Sequence, residues 1–406
     1  MSNAAYRNSS VEAFKASLRP EAELLLLCAR LALRPAERER ILQLLESDLD
    51  WACLLELAAR HGLRPLLYRH LNALAPAAVP KAIFVELWSG YERACRRNQA
   101  MAQELLRILN VLDSNAIAAI PYKGPALAAS VYGDPALREY GDLDILLRLE
   151  DVIAAKALLL AQGYRPKYAL EPAVEAAFLR SNLQYHLVLV HGASSITVEL
   201  HWMTDPAYPV ERAADAQWWA NLDIANLGQG KVRSFSVTEL LLILCLHGSK
   251  HYWTSLGWLV DVAELMRQHP DTDWDWILSK ANALACERRL ALGLHLAQRL
   301  LDAPLPQAVQ RRIAAVHALD ELTAMTIGTL FTPEFHEWNT VASLRLNLKL
   351  YERPRQKLDH LLNVVFAPSL PEWSRWPLPR AFHFLYLPLR LIRLLGKYGR
   401  IFPNRP

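Results

Sequence analysis

The chain has 406 residues, 52% hydrophobic and 21% charged, with a formal net charge of +4. That length supports two or three cores, not one small domain, and no run of about 18 uncharged apolar residues offers a membrane span. Seven Arg or Lys and no Asp or Glu lie from Trp373 to the end, so basicity belongs to the tail and the rest is slightly acidic, which argues against a broad nucleic-acid surface.

The five cysteines, Cys28, Cys53, Cys95, Cys245 and Cys286, form no CxxC pair. Buried thiols in a reducing compartment are expected, not a disulfide frame or a zinc ribbon. The first residues lack a basic segment followed by an apolar stretch and a cleavage site, so a cytoplasmic location is expected.

In chain order, residues from about 10 to 112 carry apolar positions at three and four spacing, broken by Pro and Gly, and predict helices. The period then changes. "NAIAAIPYKG" is a short β-prone run, and Pro125 suits the first turn of a helix over "PALAASVY". "LDILLRL" follows as a strand and "EDVIAAKALLLAQGY" as a helix, favoured at its start by Glu150 and Asp151 and ended by Gly163. "LQYHLVLVHGASSITVELHW" reads as two strands around His191-Gly192. Ser236 and Glu239 form a capping-box pattern that opens further helices, which recur to about residue 365. The expected fold is therefore α+β: a helical region over 1–112, a small mixed-sheet core over 113–232, a helical domain over 233–365 and a basic, aromatic-rich tail over 366–406.

Alternate side chains on a strand share a face, so Asp142 and Asp144 point to one side of "DLDILL" and Leu143 and Ile145 to the other. Two neighbouring carboxylates repel each other unless a cation lies between them, and Mg2+ takes carboxylate oxygens while leaving positions for phosphate. Glu199, flanked by Val198 and Leu200, offers a third acid for the same side. Three such acids on adjacent strands suit a two-metal site for displacement at phosphorus. The bland alternatives are a solvated strand end for the aspartates and a cross-strand ion pair for Glu199.

"YKGPALAASVYGDPALREYGDLDILL" with "VELHW" resembles the bacterial uncharacterised nucleotidyltransferase family, whose wider superfamily includes DNA polymerase beta and kanamycin nucleotidyltransferase. The match covers residues 116 to 205, and "LHGSKHYWTSLGWLVDVAEL" extends a looser echo to about 265. The resemblance implies that Asp142, Asp144 and Glu199 hold two Mg2+ ions and carry catalysis, Glu199 also helping to deprotonate the acceptor. Gly124 would let the backbone approach the triphosphate of ATP or another NTP. Where the superfamily usually has Gly-Ser, this chain has Gly124-Pro125, and proline offers neither hydroxyl nor N–H. Lys123 and Arg138 stand nearby as replacement cations, Arg138 with a two-pronged grip.

His201 follows Glu199 by two and shares its strand face, to touch substrate or to cap the sheet edge. His247, Lys250 and His251 share one helix face. No acid lies between these histidines as in a metalloprotease helix, so a polar face closing over nucleotide or acceptor is expected there instead of zinc. Asp261 belongs to the same echo. The tail 373–406 can pack on the body, contact an anionic membrane or bind a partner, and its prolines disfavour one long anchoring helix. The reaction expected is transfer of a nucleoside monophosphate, AMP from ATP, to a hydroxyl or phosphate of a small molecule or peptide. Two rivals are a nucleotide-binding sensor or scaffold without chemistry and a membrane-surface protein acting through its tail.

Overall fold

A computed structural model describes residues 11–180, 184–205, 219, 222–331 and 340–366, with isolated positions between 382 and 392. Most of the basic tail, and with it the expected membrane or partner contact of 373–406, lies outside the described residues. No described helix is long and apolar enough to cross a membrane.

The chain is α+β. Helices α1 (Pro20–Cys28), α2 (Pro35–Leu45), α3 (Trp51–Arg60) and α4 (Arg64–Leu74) precede a 34-residue helix, α5 (Lys81–Ser114). At 1.5 Å per residue α5 runs about 51 Å. Its buried positions Met101, Leu105, Ile108 and Leu112 recur every three or four residues, the stripe of a helix laid on a core.

The sheet follows: β1 (Ala119–Pro121), β2 (Asp142–Leu147), β3 (Tyr164–Pro166), β4 (His186–His191) and β5 (Thr197–His201), in the order β1-β2-β5-β4-β3. Strand β2 runs antiparallel to β1 and parallel to β5, and β4 runs antiparallel to both β5 and β3. Between β1 and β2 lies a short helix, α6 (Gly124–Leu127), continuing as a π turn over Ala128–Tyr132. Gly124 has φ +53°, and a Cβ there would meet the Asp142 carbonyl at 3.0 Å, so glycine is demanded by packing of this turn on β2. Helices α7 (Val152–Ala161) and α8 (Pro172–Arg180) link the remaining strands, and β6 (Asp223–Leu227) pairs with β7 (Gly230–Ser234) in a separate hairpin.

The expected strand, helix, strand, helix and hairpin are all present. Strand β3, helix α8 and the β6–β7 hairpin go beyond that reading. β3 has three residues, and β6 is mostly exposed, so neither carries an alternating apolar pattern.

Helices return with α9 (Val237–Lys250), opened by the capping box of Ser236 and Glu239, and α10 (Leu256–Gln268). α11 (Trp274–Leu284), α12 (Glu287–Leu301), α13 (Gln307–Ala314), α14 (Leu319–Leu330), α15 (Thr340–Leu350) and α16 (Pro354–Phe366) complete the described order. Leu240 to Leu246 of α9 are buried without interruption, as expected for a helix surrounded by others.

Two hydrophobic cores result. Leu143, Ile145 and Leu147 of β2 enter one, with the α5 stripe, Val152, Ala155 and Leu159 of α7, and Val198 and Leu200 of β5. The other joins α1–α4 to α9–α14 and reaches Tyr122, Tyr132 and Leu146. A buried ion pair ties the sheet-bearing part to the helices: Arg138 donates from Nε and Nη2 to the two oxygens of Asp261 on α10, at 2.8 and 2.9 Å, and Tyr132 donates to the same carboxylate at 2.7 Å.

Removing one partner of such a pair strands the other charge, so Asp261→Asn should cost about 3–5 kcal/mol, read by denaturant unfolding. Gly124→Ala should cost about 1–2 kcal/mol for the left-handed backbone alone, with the contact to the Asp142 carbonyl added to it.

Candidate active site

Strand alternation and register bring the polar side chains together. Asp144 pairs with Glu199 across the parallel β2–β5 ladder, and His201 of β5 pairs with His186 of β4. With Asp142 these residues occupy the sheet face opposite Leu143, Ile145, Val198 and Leu200. That face opens into a cavity of about 320 Å3. Ten residues singled out in the sequence line it, namely Lys123, Gly124, Arg138, Asp142, Asp144, Glu199, His201, His247, Lys250 and His251, while Asp261 lies outside it, bonded to Arg138.

Asp144 is 3% exposed, and burial alone would favour its neutral form. Lys123 Nζ lies 2.9 Å from its Oδ1, and His201 Nε2 lies 3.0 Å from the same atom. The Lys123 ammonium and the His201 contact outweigh burial and hold the Asp144 carboxyl well below the usual range. His201 Nε2 also lies 3.2 Å from Glu199 Oε2. Despite burial, the two carboxylates raise the His201 imidazole above its ordinary value, and His201 and His186 help lower Glu199. Asp142 fares differently. Burial, then the Asp144 charge, push its carboxyl up to about 6, and Lys123 offsets this only in part.

The third wall is the end of α9. His247, His251 and Trp258 of α10 form a ring cluster with centroids 4.7 to 5.5 Å apart. Burial drives His247 well below its ordinary value and His251 down to about 3, so both are neutral at pH 7. Lys250 Nζ lies 3.8 Å from the Tyr185 ring centroid, and burial lowers its ammonium. A Cβ at Gly248 would fall 2.2 Å from the Trp253 ring, so this glycine lets the last turn of α9 close on its neighbour.

The guanidinium of Arg138 makes its two-pronged contact with Asp261, not toward open cavity space. Its Nη1 is buried without a hydrogen-bond partner among the described residues. Asn98 of α5 fixes this segment by donating to the Pro135 and Arg138 carbonyls at 2.8 and 2.9 Å. Tyr185, His186 and Trp258 also line the cavity and were missed in the sequence. The only signal for His186 is its alternation with Val188 and Val190, which becomes informative once its pairing with His201 is known.

Asp142, Asp144 and Glu199 fit a hard divalent cation. All three are oxygen donors that share one sheet face and line one cavity, the donor type that hard divalent cations take.

A family described as uncharacterised nucleotidyltransferase matches residues 47–302, well over half of the chain. No curated protein and no solved structure is significantly similar to it. The match spans α3 to the end of α12, so it includes the sheet, the long helix and the cavity wall on α9.

The Asp142 shift has a defined sign. Its folded value of about 6 exceeds the unfolded one, so the folded state binds the extra proton and loses stability as pH rises from about 4 to 6. Asp142→Asn should therefore stabilise the protein at pH 7 by roughly 1–3 kcal/mol and leave it unchanged near pH 4, measured by urea unfolding at both values.

Proposed function

Because the chain belongs to the uncharacterised nucleotidyltransferase family, and so to enzymes that transfer nucleotidyl groups, we propose that it moves AMP from ATP to a hydroxyl or phosphate of a small molecule or peptide, releasing pyrophosphate. The observation that carries this reading is the placement of Asp142, Asp144 and Glu199 on one sheet face, opening into a cavity that also holds Lys123 and Lys250.

Asp142, Asp144 and Glu199 would hold Mg2+, which supplies neutralisation of the charge developing on the phosphoryl oxygens. Lys123, whose Nζ lies 2.9 Å from Asp144 at the cavity wall, would be placed to meet a phosphate oxygen of a bound nucleotide. Lys250 supplies a second positive charge from the opposite wall. Glu199, lowered by its His201 contact, is ionised at neutral pH and can accept the acceptor's proton. The neutral rings of His247, His251 and Trp258 give an apolar, flat-sided end suited to a base or an aromatic acceptor. Catalysis is then chiefly positioning and electrostatics.

The near-neutral body favours a small molecule or peptide over RNA as acceptor. A second reading, a sensor that binds nucleotide without chemistry, draws on Pro125, which offers no N–H or hydroxyl to a triphosphate, and on Asp144, already neutralised by Lys123 and His201.

Thermal melts with ATP, GTP, CTP and UTP, each with and without Mg2+, separate these readings when joined to release of labelled pyrophosphate. Mg2+-dependent stabilisation by ATP, absent in the double variant Asp142→Asn, Asp144→Asn, is expected. Stabilisation without pyrophosphate release across acceptor trials would favour the sensor, and no stabilisation by any nucleotide would end both. Lys250→Met should weaken nucleotide binding about 10- to 100-fold, the loss of one charge-assisted phosphate contact, read by calorimetry.

A further inference from the structure

The cavity face holds a second donor set beside the aspartates. His186, Glu199 and His201 each offer one ligand atom, and the three atoms lie within 4.8 Å of one another. His201 Nε2 is 3.2 Å from Glu199 Oε2, and His186 Nε2 is 3.9 Å from that oxygen. We infer that these residues form a binding site for a first-row transition ion of the Zn2+, Co2+ or Mn2+ class, distinct in chemistry from the all-oxygen acids of β2.

Three observations carry it. First, the backbone builds the set: the two histidines are direct cross-strand partners, and Glu199 precedes His201 by two on the same face. Second, the geometry is close. Tetrahedral ligands about 2.1 Å from a metal stand about 3.4 Å apart, so ring and carboxylate adjustments of about 1.5 Å or less complete the site. The rings are braced for this, with His201 stacked on His186 at 5.2 Å and edge-on to Tyr122 at 5.5 Å. Third, the donors discriminate: two imidazoles with one carboxylate suit borderline transition ions, whereas Mg2+ prefers oxygen.

His186 and Glu199 retain 18% and 23% of their side-chain exposure toward the cavity, against 3% for His201, so a bound ion keeps an open side for water or ligand. The Nδ1 atoms of both histidines are buried without hydrogen-bond partners among the described residues. Metal-bound imidazoles usually donate from that nitrogen to an orienting acceptor, so this site is an exchangeable one, not a structural one. Glu199 is shared with the aspartates, and His201 also contacts Asp144. An ion here therefore withdraws two groups from the Asp142–Asp144 site and acts on that site as an antagonist.

The test uses full-length, tag-free protein stripped by chelator and titrated with Co2+, followed by visible absorption and calorimetry without nucleotide. One equivalent with the d–d bands of a mixed nitrogen and oxygen site is expected, bleached when Zn2+ displaces it. His186→Ala should weaken binding by more than the roughly 10- to 100-fold that loss of an orienting partner costs, while Asp142→Asn keeps it within a few-fold. Absence of a stoichiometric Co2+ site in the wild type overturns the inference, as does binding lost in Asp142→Asn but kept in His186→Ala. Wild-type protein with one equivalent of Cu2+ gives the same answer without substitution: paramagnetic resonance coupling to two imidazole nitrogens supports the site, and an all-oxygen spectrum overturns it. None of these readouts involves nucleotidyl transfer, so their outcome is separable from that of the proposed reaction.

Discussion

Asp144 is the constraint around which the cavity is arranged. A carboxylate this deeply buried is tolerated only with cations in contact, and two approach one of its oxygens, Lys123 from the turn after β1 and His201 from β5. Each contact fixes something larger. Lys123 brings the Gly124 turn against the end of β2, where only glycine fits beneath the Asp142 carbonyl. His201 ties β5, and through Glu199 and His186 it orders the rest of the polar face. Its neighbour Asp142 sits beside that charge, and burial first, then Asp144, push its carboxyl up to about 6.

The opposite wall depends on a separate pair. Arg138 follows the same turn and grips Asp261 in α10, while Tyr132 shares the carboxylate. The end of α9, with His247, Lys250 and His251, lines the same cavity as the acids. The cavity is thus assembled between two cores by two ion-paired clusters with different partners.

Much of this was legible locally. The alternation of Asp142 and Asp144 with Leu143 and Ile145 announced a two-faced strand, and the isolation of Glu199 among apolar neighbours announced its direction. The Ser236–Glu239 cap marked the start of α9, and spacing put its polar residues on one face. What local pattern does not carry is pairing at a distance. His186 gains meaning only opposite His201, Arg138 only opposite Asp261, and three-residue β3 only beside β4. In the same way, the helices before the sheet and those after it read as two separate regions, yet α1–α4 and α9–α14 fill one core. Periodicity reports which face of a helix is buried and is silent on what covers it.

The long helix α5 bears on how this chain can be divided. Leu87 near its start belongs to the helical core and Met101 onward to the sheet core, while Asn98 between them holds the carbonyls of Pro135 and Arg138. A fragment cut at the boundary near residue 112 would begin after all of these contacts, leaving the sheet with an uncovered apolar face and the Arg138 segment without its clasp. The strands that carry Asp142, Asp144 and Glu199 are therefore not an excisable module. The sheet needs the helix ahead of it, which accords with a family match that opens at residue 47, well before the first strand.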